Sequence, residues 1–588
     1  MQALDKTAHE WLQLPDGEVG DAIVAALAAA GVEYLFFTSG SELAFYQEAI
    51  AKAEALGRPT PRLVTMIHEH ASLNAALGYA AVSGKPVATA AHADAGTFNY
   101  GGALHTAAHA NLPIFITGGG GPTAYTGTVR GARDRGGHLW FQQPYDQNGI
   151  VRDYVKWEKR LEYADNPGLI VSRGLQVALT EPRGPVYFTP PRELTLAPLR
   201  DTSFPTAQQL GIPETPAPAI EAARDIARKL IGAENPFVVT STAGRNPATV
   251  PALVKLCELL AMPVANSGFK AYHCFPKRHP LYLGDYPLKE ADVVVAIDAN
   301  VPWTPGPKAP PASAYVAVVD IDPVRLRIPT YEFTADVRVT SDALRAIELL
   351  TQLVEEELTP AVRAKVEARR ERWQTFTSRR RAEWNAYAES KANDDPIDPA
   401  YVTYELAKVI DDNCIVFDET LQTPMIDRYV PCNVPGSYFH NPASSGGWSI
   451  GAAFGAKLAA PDKDIIACTG DGFYQYSTAT AALWAAVHFA APFMAVVYQN
   501  RSYSTGTVNV GEIYPGGYAF KAGYEGGHFD PPVDFAKEAE AAGAHGENVR
   551  TPAEVGPAMR RAKAAVRAGK PAIVSVWLQR LGGSELSS

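Results

Sequence analysis

The chain has 588 residues, 46% of them hydrophobic and 20% charged, an ordinary globular composition that is too long for one core and implies two or three domains. A net charge of −10 excludes nucleic acid as the main partner, because phosphate binding needs a basic footprint. Five cysteines without a close-spaced pair point to neither a disulfide framework nor a zinc site; with a polar N-terminus and no run of membrane-spanning length, a cytoplasmic protein is expected.

In chain order, residues 21–30 read as an amphipathic helix ended by Gly31, and 33–38 as an apolar strand. Residues 86–91, 112–117 and 184–188 are further strands, so residues 1–195 read as a parallel α/β domain. The Pro-rich stretch 190–218 reads as a linker. A second α/β unit covers 219–353, with strands at 237–240, 293–297 and 315–321 and a helix at 249–260. Residues 354–397 are rich in charge at helical spacing and read as a solvated connecting helix. A third α/β unit covers 398–588, with strands at 464–469 and 492–498 and a helix at 478–489. The expected fold is therefore three doubly wound parallel-sheet α/β domains, with no sequence period visible between them.

The most informative motif is Gly470-Asp471-Gly472, followed 29 positions after Asp471 by Asn500. A divalent cation holding a diphosphate takes hard oxygen ligands. Asp471 offers a carboxylate, Asn500 an amide oxygen and Ser502 a carbonyl, while Gly470 and Gly472 leave room for phosphates at the carboxyl end of a strand. Alone, the triplet is most often a tight turn; the distant Asn500 between two apolar segments changes that reading. In the first domain, Ile67-His68-Glu69-His70-Ala71 leads into a helix ending at Gly78-Tyr79-Ala80, and a bare reading of Glu69 is an acid favoured by a helix start.

Together these two patterns resemble the diphosphate and pyrimidine signatures of thiamine-diphosphate (ThDP) enzymes. The resemblance implies a pyrimidine-binding, a central and a diphosphate-binding domain, with Glu69 on the cofactor pyrimidine and Mg²⁺ on Asp471, Asn500 and Ser502. A carboxyl at the pyrimidine ring shares a proton with it, which lets the cofactor form the carbanion its chemistry needs. Gly470, Gly472, Phe473, Tyr503, Gly446, Leu421 and Gln422 are the other cofactor contacts it implies. It also implies an active homodimer at minimum, commonly a homotetramer.

Four stretches narrow the branch, one of them Tyr476-Ser477 followed by Ala482-Leu483-Trp484, which is similar to the diphosphate-domain helix of benzoylformate decarboxylases. Thr38-Ser39-Gly40-Ser41-Glu42 and His92-Ala93-Asp94-Ala95-Gly96-Thr97-Phe98-Asn99 resemble segments of benzoylformate decarboxylases that carry a substrate-side Ser and an active-site His. Ser41 and His92 are thus candidates for orienting substrate and moving protons, against a purely structural His. The stretch from His138 to Trp157 is similar to acetolactate-synthase-like proteins, in which a Phe-Gln pair approaches the cofactor from the neighbouring subunit; Gln142 is the candidate here. Two departures stand out. The decarboxylases' second His has no counterpart near residues 302–308, and Gly446 stands where many members have an aliphatic wedge. The expected activity is cleavage or formation of a bond beside a carbonyl: decarboxylation of a small-molecule 2-oxo acid, or carboligation with an aldehyde or ketone. The alternatives are a 2-hydroxyacyl-CoA lyase or synthase, and a non-catalytic or flavin-linked member of the fold. FAD or ADP in the central domain is the less favoured reading.

Overall fold

The computed structural model describes residues 11–127, 129–266, 270–420 and 425–580. These divide into two compact units. One comprises residues up to 213 with 443–462 and 474–492; the other comprises 214–442, 463–473 and 493 onward.

The first unit holds a six-stranded parallel sheet flanked by an antiparallel ribbon. The ribbon pairs β1 (Leu12–Glu18) with a strand from the Pro-rich stretch, so that stretch is not wholly a linker. The sheet consists of β2 (Tyr34–Phe37), β3 (Arg62–Thr65), β4 (Val87–Ala91), β5 (Ile114–Gly118), β6 (Trp157–Arg160) and β7 (Val186–Thr189), in the order β3-β2-β4-β5-β7-β6. The ribbon's second strand is β8 (Pro198–Phe204). Strands β4, β5 and β7 are buried along their whole length, as continuous apolar runs of a parallel sheet covered on both faces must be.

The helix Glu69–Ser83 is also almost wholly buried, packed against the helix Ser449–Ala459. Glycine makes this possible: a Cβ on Gly455 would lie 1.8 Å from the Ala75 carbonyl oxygen, and one on Gly78 2.0 Å from that of Ala452. The two backbones therefore touch where any side chain would hold them apart.

The second unit carries two more parallel sheets. The first has β9 (Pro236–Thr240), β10 (Val264–Asn266), β11 (Tyr282–Gly284), β12 (Val293–Ile297), β13 (Tyr315–Asp320) and β14 (Val337–Thr340), in the order β11-β10-β9-β12-β13-β14. The second has β15 (Cys414–Glu419), β16 (Tyr438–His440), β17 (Asp464–Gly470), β18 (Met494–Gln499), β19 (His545–Val549) and β20 (Ala572–Trp577), in the order β16-β15-β17-β18-β20-β19. Numbered within each sheet, the first and last share one order, 2-1-3-4-6-5, whereas the middle one runs 3-2-1-4-5-6. Two of the three sheets are thus built on one plan. In each sheet the chain reverses its direction of winding at one pair of strands, and the crevice outside the carboxyl ends of that pair is where such folds hold ligands. The pairs are β2/β4, β9/β12 and β15/β17.

The charged segment forms the helices Ala343–Glu357 and Pro360–Ser390. The latter is not simply solvated. Arg369 is buried and donates to the carbonyls of Leu260 (2.6 Å) and Ala233 (2.7 Å), capping chain ends that would otherwise lack partners. Among the described residues no helix is long and apolar enough to cross a membrane.

Candidate active site

Ser41 and Glu42 follow β2, and His92 follows β4, so the first sheet's reversal point brings them together. Glu42 is fully buried. Its Oε1 accepts from Ser41 Oγ (2.8 Å), and its Oε2 lies 2.5 Å from His92 Nδ1. The Gln142 side-chain amide meets the other ring nitrogen, Nε2. The structure joins Ser41, His92 and Gln142 and adds Glu42, a residue to which the sequence alone gives no role.

The electrostatics follow from this pairing. Contact with the Glu42 carboxylate raises the His92 pKa above the usual imidazole value, outweighing burial, which lowers it. For Glu42, burial pushes the pKa up, but the hydrogen bond and charge of His92 hold it below the ordinary carboxylate value. A proton on Nδ1, favoured by the nearby Glu42 carboxylate, leaves Nε2 to accept from the Gln142 amide; a second proton on the ring requires an acceptor there, and the amide oxygen of Gln142 is buried without a partner among the described residues. Close packing makes room for the cluster. A Cβ on Gly40 would come 2.5 Å from His92, and one on Gly119 would come 2.8 Å from the Glu42 Cβ. The run Gly118–Gly121 serves packing: the Gly119 and Gly120 amides are spent on Ala91 and Pro190 carbonyls.

Glu69 is the first residue of the helix Glu69–Ser83 and is buried. Its Oε2 accepts from Asn99 Nδ2 (3.3 Å), and a Cβ on Gly96 would stand 2.9 Å from its Oε1. Asn99 and Gly96 belong to the same stretch as His92. Next to Glu69, His70 is pushed down to about 4 by burial, assisted by His68, and bonds to Asn74. It is therefore a neutral structural ring. Burial likewise lowers His440. Gly446 lies in the loop before the helix Ser449–Ala459, whose next residue, Gly447, accepts from Asn74 Nδ2 (3.3 Å).

In the second unit, Asp471 follows β17 at the reversal point of the last sheet and opens a short helix, Asp471–Tyr476, where sequence had indicated only a turn. Its carboxylate accepts from the Arg501 amide (2.5 Å) and the Gly472 amide (2.9 Å). Burial pushes its pKa up to about 6 against these bonds. Asn500 turns its Oδ1 to the Ser502 amide (2.9 Å) and its Nδ2 to Ser504 Oγ (2.6 Å). Arg501 between them has φ +61°, a left-handed bend, and its own amide is the one that reaches Asp471. Ser502 is buried; Tyr503 is partly exposed, its ring 4.4 Å from that of Phe529. Phe473 is half-buried in the short helix. A Cβ on Gly470 would meet nothing within 4 Å, so the turn leaves open space beside its own backbone.

This arrangement fits a cation with a diphosphate. An acid held in low dielectric with no basic side chain bonded to it among the described residues, and an amide oxygen and a carbonyl on one bend, form a hard oxygen set. By contrast, the grouping of Asp411, Cys414 and Asp464 is already neutralised by Lys563 (3.0 Å from Asp411) and Arg567 (2.7 Å from Asp464). Leu421 and Gln422 lie outside the described residues.

Known proteins bear on both constellations. Residues 17–150 match the model "Thiamine pyrophosphate enzyme, N-terminal TPP binding domain", and 422–576 match "Thiamine pyrophosphate enzyme, C-terminal TPP binding domain". Benzoylformate decarboxylase of Pseudomonas aeruginosa is 27% identical over 459 residues, 75% of this chain and 79% of that protein. A probable acetolactate synthase large subunit of Methanococcus aeolicus is 25% identical over 578 residues, 92% of this chain and 89% of that one. The fold is that of the thiamine diphosphate-dependent 4-hydroxybenzoylformate decarboxylase of Rhodococcus jostii RHA1, with a TM-score of 0.74 at 22% identity over 96% of this chain and 99% of that one. With Glu69 inside the first matched region and Asp471 and Asn500 inside the second, the chain belongs to the thiamine-pyrophosphate-dependent enzymes.

Proposed function

We propose that this enzyme acts on a 2-oxo acid, releasing carbon dioxide and delivering the remaining acyl unit either to a proton, as an aldehyde, or to a second carbonyl, as a hydroxyketone. The observation that carries this reading is the Ser41–Glu42–His92–Gln142 cluster at the reversal point of the first sheet. It supplies one imidazole able to hold or give up a proton, clamped from two sides. Its relatives named for benzoylformate and acetolactate chemistry support the same substrate class.

ThDP, when bound, supplies a nucleophilic carbon and an electron sink. Glu69 would hold the proton of its pyrimidine ring, fixed by Asn99. Asp471, Asn500 and the Ser502 carbonyl would hold Mg²⁺ and through it the diphosphate, with Gly470, Gly472, Phe473, Tyr503, Gly446, Leu421 and Gln422 as the remaining cofactor contacts. Ser41 would orient the substrate carboxylate, and His92 would transfer a proton to or from the substrate carbonyl oxygen. Gln142 would set which protonation state of His92 is favoured. A homodimer is the smallest active form proposed, a tetramer the expected one, in the cytoplasm.

The test is a panel of pyruvate, benzoylformate and longer or branched 2-oxo acids with ThDP and Mg²⁺, monitoring carbon dioxide and condensed products. Carbon dioxide with free aldehyde assigns a decarboxylase, and carbon dioxide with a hydroxyketone a carboligase. Bound ThDP with no turnover of any acid rejects the 2-oxo acid reading and turns attention to acyl-CoA substrates.

A further inference from the structure

A cluster of cations far in sequence from the Gly470–Gly472 turn has no role in this chemistry. The helix Pro360–Ser390 contributes Arg380, Arg381 and Trp384, and the short helix Met425–Tyr429 contributes Asp427 and Arg428. With Lys277 they line a cleft of about 70 Å³. At about 10–15 Å³ per water, that is room for a few waters or one oxyanion.

The charges in the cleft do not balance. Asp427 is taken by Lys277 (2.6 Å) and by Lys270. The other acid at the rim, Asp285, is taken by Lys308 (2.7 Å). Arg381 spends its donors on the carbonyls of Arg278 (2.8 Å), His279 (2.7 Å) and Lys277 (3.2 Å). Arg380 donates once, to the Leu283 carbonyl (2.9 Å), and its guanidinium lies 4.5 Å from the Trp384 ring centre. Arg428 lies 5.6 Å from the same ring centre and makes no hydrogen bond or ion pair among the described residues. Two guanidiniums thus share one indole with most of their donors unspent. Burial lowers the Arg380 pKa, and the nearby Arg428 charge lowers it further.

We propose that this cleft binds a phosphate dianion, free or as the terminal phosphate of a larger metabolite, held by Arg428 and Arg380 against Trp384. Guanidinium forks match the oxygen geometry of phosphate. A dianion neutralises both charges, whereas a carboxylate would leave one of them uncompensated. The site is independent of the substrate proposed above.

The experiment uses the full chain saturated with ThDP and Mg²⁺, so that the diphosphate site is already filled. Melting temperature is followed against orthophosphate at constant ionic strength, with acetate as the monoanion reference and ADP and CoA as phosphorylated probes. Orthophosphate is expected to give a saturable rise that acetate does not. Arg428→Met should weaken it about tenfold or more, since charged hydrogen bonds are lost, while leaving the unliganded melting temperature within about 2 °C. Arg380→Met serves as the second variant and should act in the same direction. Saturation by ADP or CoA at lower concentration than orthophosphate identifies a phosphorylated metabolite as the source; the reverse identifies the free anion. No response to any phosphate, or equal responses in wild type and both variants, overturns the proposal.

Discussion

The Nδ1 atom of His92 lies 2.5 Å from Oε2 of Glu42, a carboxylate sealed inside the first sheet's reversal point. A buried acid beside an imidazole fixes which nitrogen carries the first proton and makes the second proton easier to add. The raised pKa of His92 and the lowered pKa of Glu42 are two views of this one contact.

Glu42→Gln removes the charge but keeps the shape. The His92 pKa should fall, and the basic limb of the kcat/KM profile should move to lower pH, with a loss at neutral pH of about 10²-fold, as for removal of general acid–base help. An unmoved limb would reject the coupling. Stability should follow the same contact. A raised His contributes fully below its unfolded pKa of about 6.5 and loses its contribution as pH rises through the folded value. A lowered Glu contributes above about 4.3 and loses its contribution as pH falls through the folded value. Wild type should therefore exceed Glu42→Gln in melting temperature most clearly between those two unfolded values, with the gap closing as pH rises further.

Glu69→Gln keeps an acceptor for Asn99 but cannot exchange a proton. Turnover should fall by about 10²–10⁴-fold, with the circular dichroism melting curve superimposable on wild type. Activity within a few-fold of wild type would remove Glu69 from cofactor activation.

Metal removal tests the bend at Asp471, Asn500 and Ser502. Dialysis against EDTA should abolish activity and release ThDP, and Mg²⁺ should restore both. Asp471→Asn removes the only charge of the proposed ligand set and should raise the Mg²⁺ concentration needed for half activity by about tenfold or more, one charged contact being worth upward of 1.4 kcal/mol. Full retention of ThDP in EDTA would contradict the site.

Gly455→Ala places a methyl 1.8 Å from the Ala75 carbonyl oxygen, a backbone atom that cannot swing aside. Prising apart the helices Glu69–Ser83 and Ser449–Ala459 should cost about 1–3 kcal/mol or more, read as a lower urea midpoint. The same shift would move Glu69, so activity should fall ahead of global unfolding.

Arg369→Met leaves the carbonyls of Leu260 and Ala233 without donors. Its cost should be about 2–3 kcal/mol, measurable by urea unfolding, although composition alone placed this residue on a solvated helix.

Whatever depends on short spacings could be read from the chain itself. Strands such as Val293–Ile297 and Asp464–Gly470 were legible because a strand covered on both faces is a run of apolar residues. Glu69 and the pair Asp471 and Asn500 stood out as candidates because a Gly-rich turn after a strand and an acid at a helix start leave local signatures. That Gln142 and Glu42, each 50 positions from His92, converge on it was invisible in the chain, because convergence depends on the order in which strands join the sheet. Nothing local encodes that order; it follows from how β2 and β4 pack, and so the first and last sheets could share one plan with no visible repeat. The Pro-rich stretch is only partly a linker for the same reason: β8 is a strand only because β1, some 190 residues away, offers it an edge.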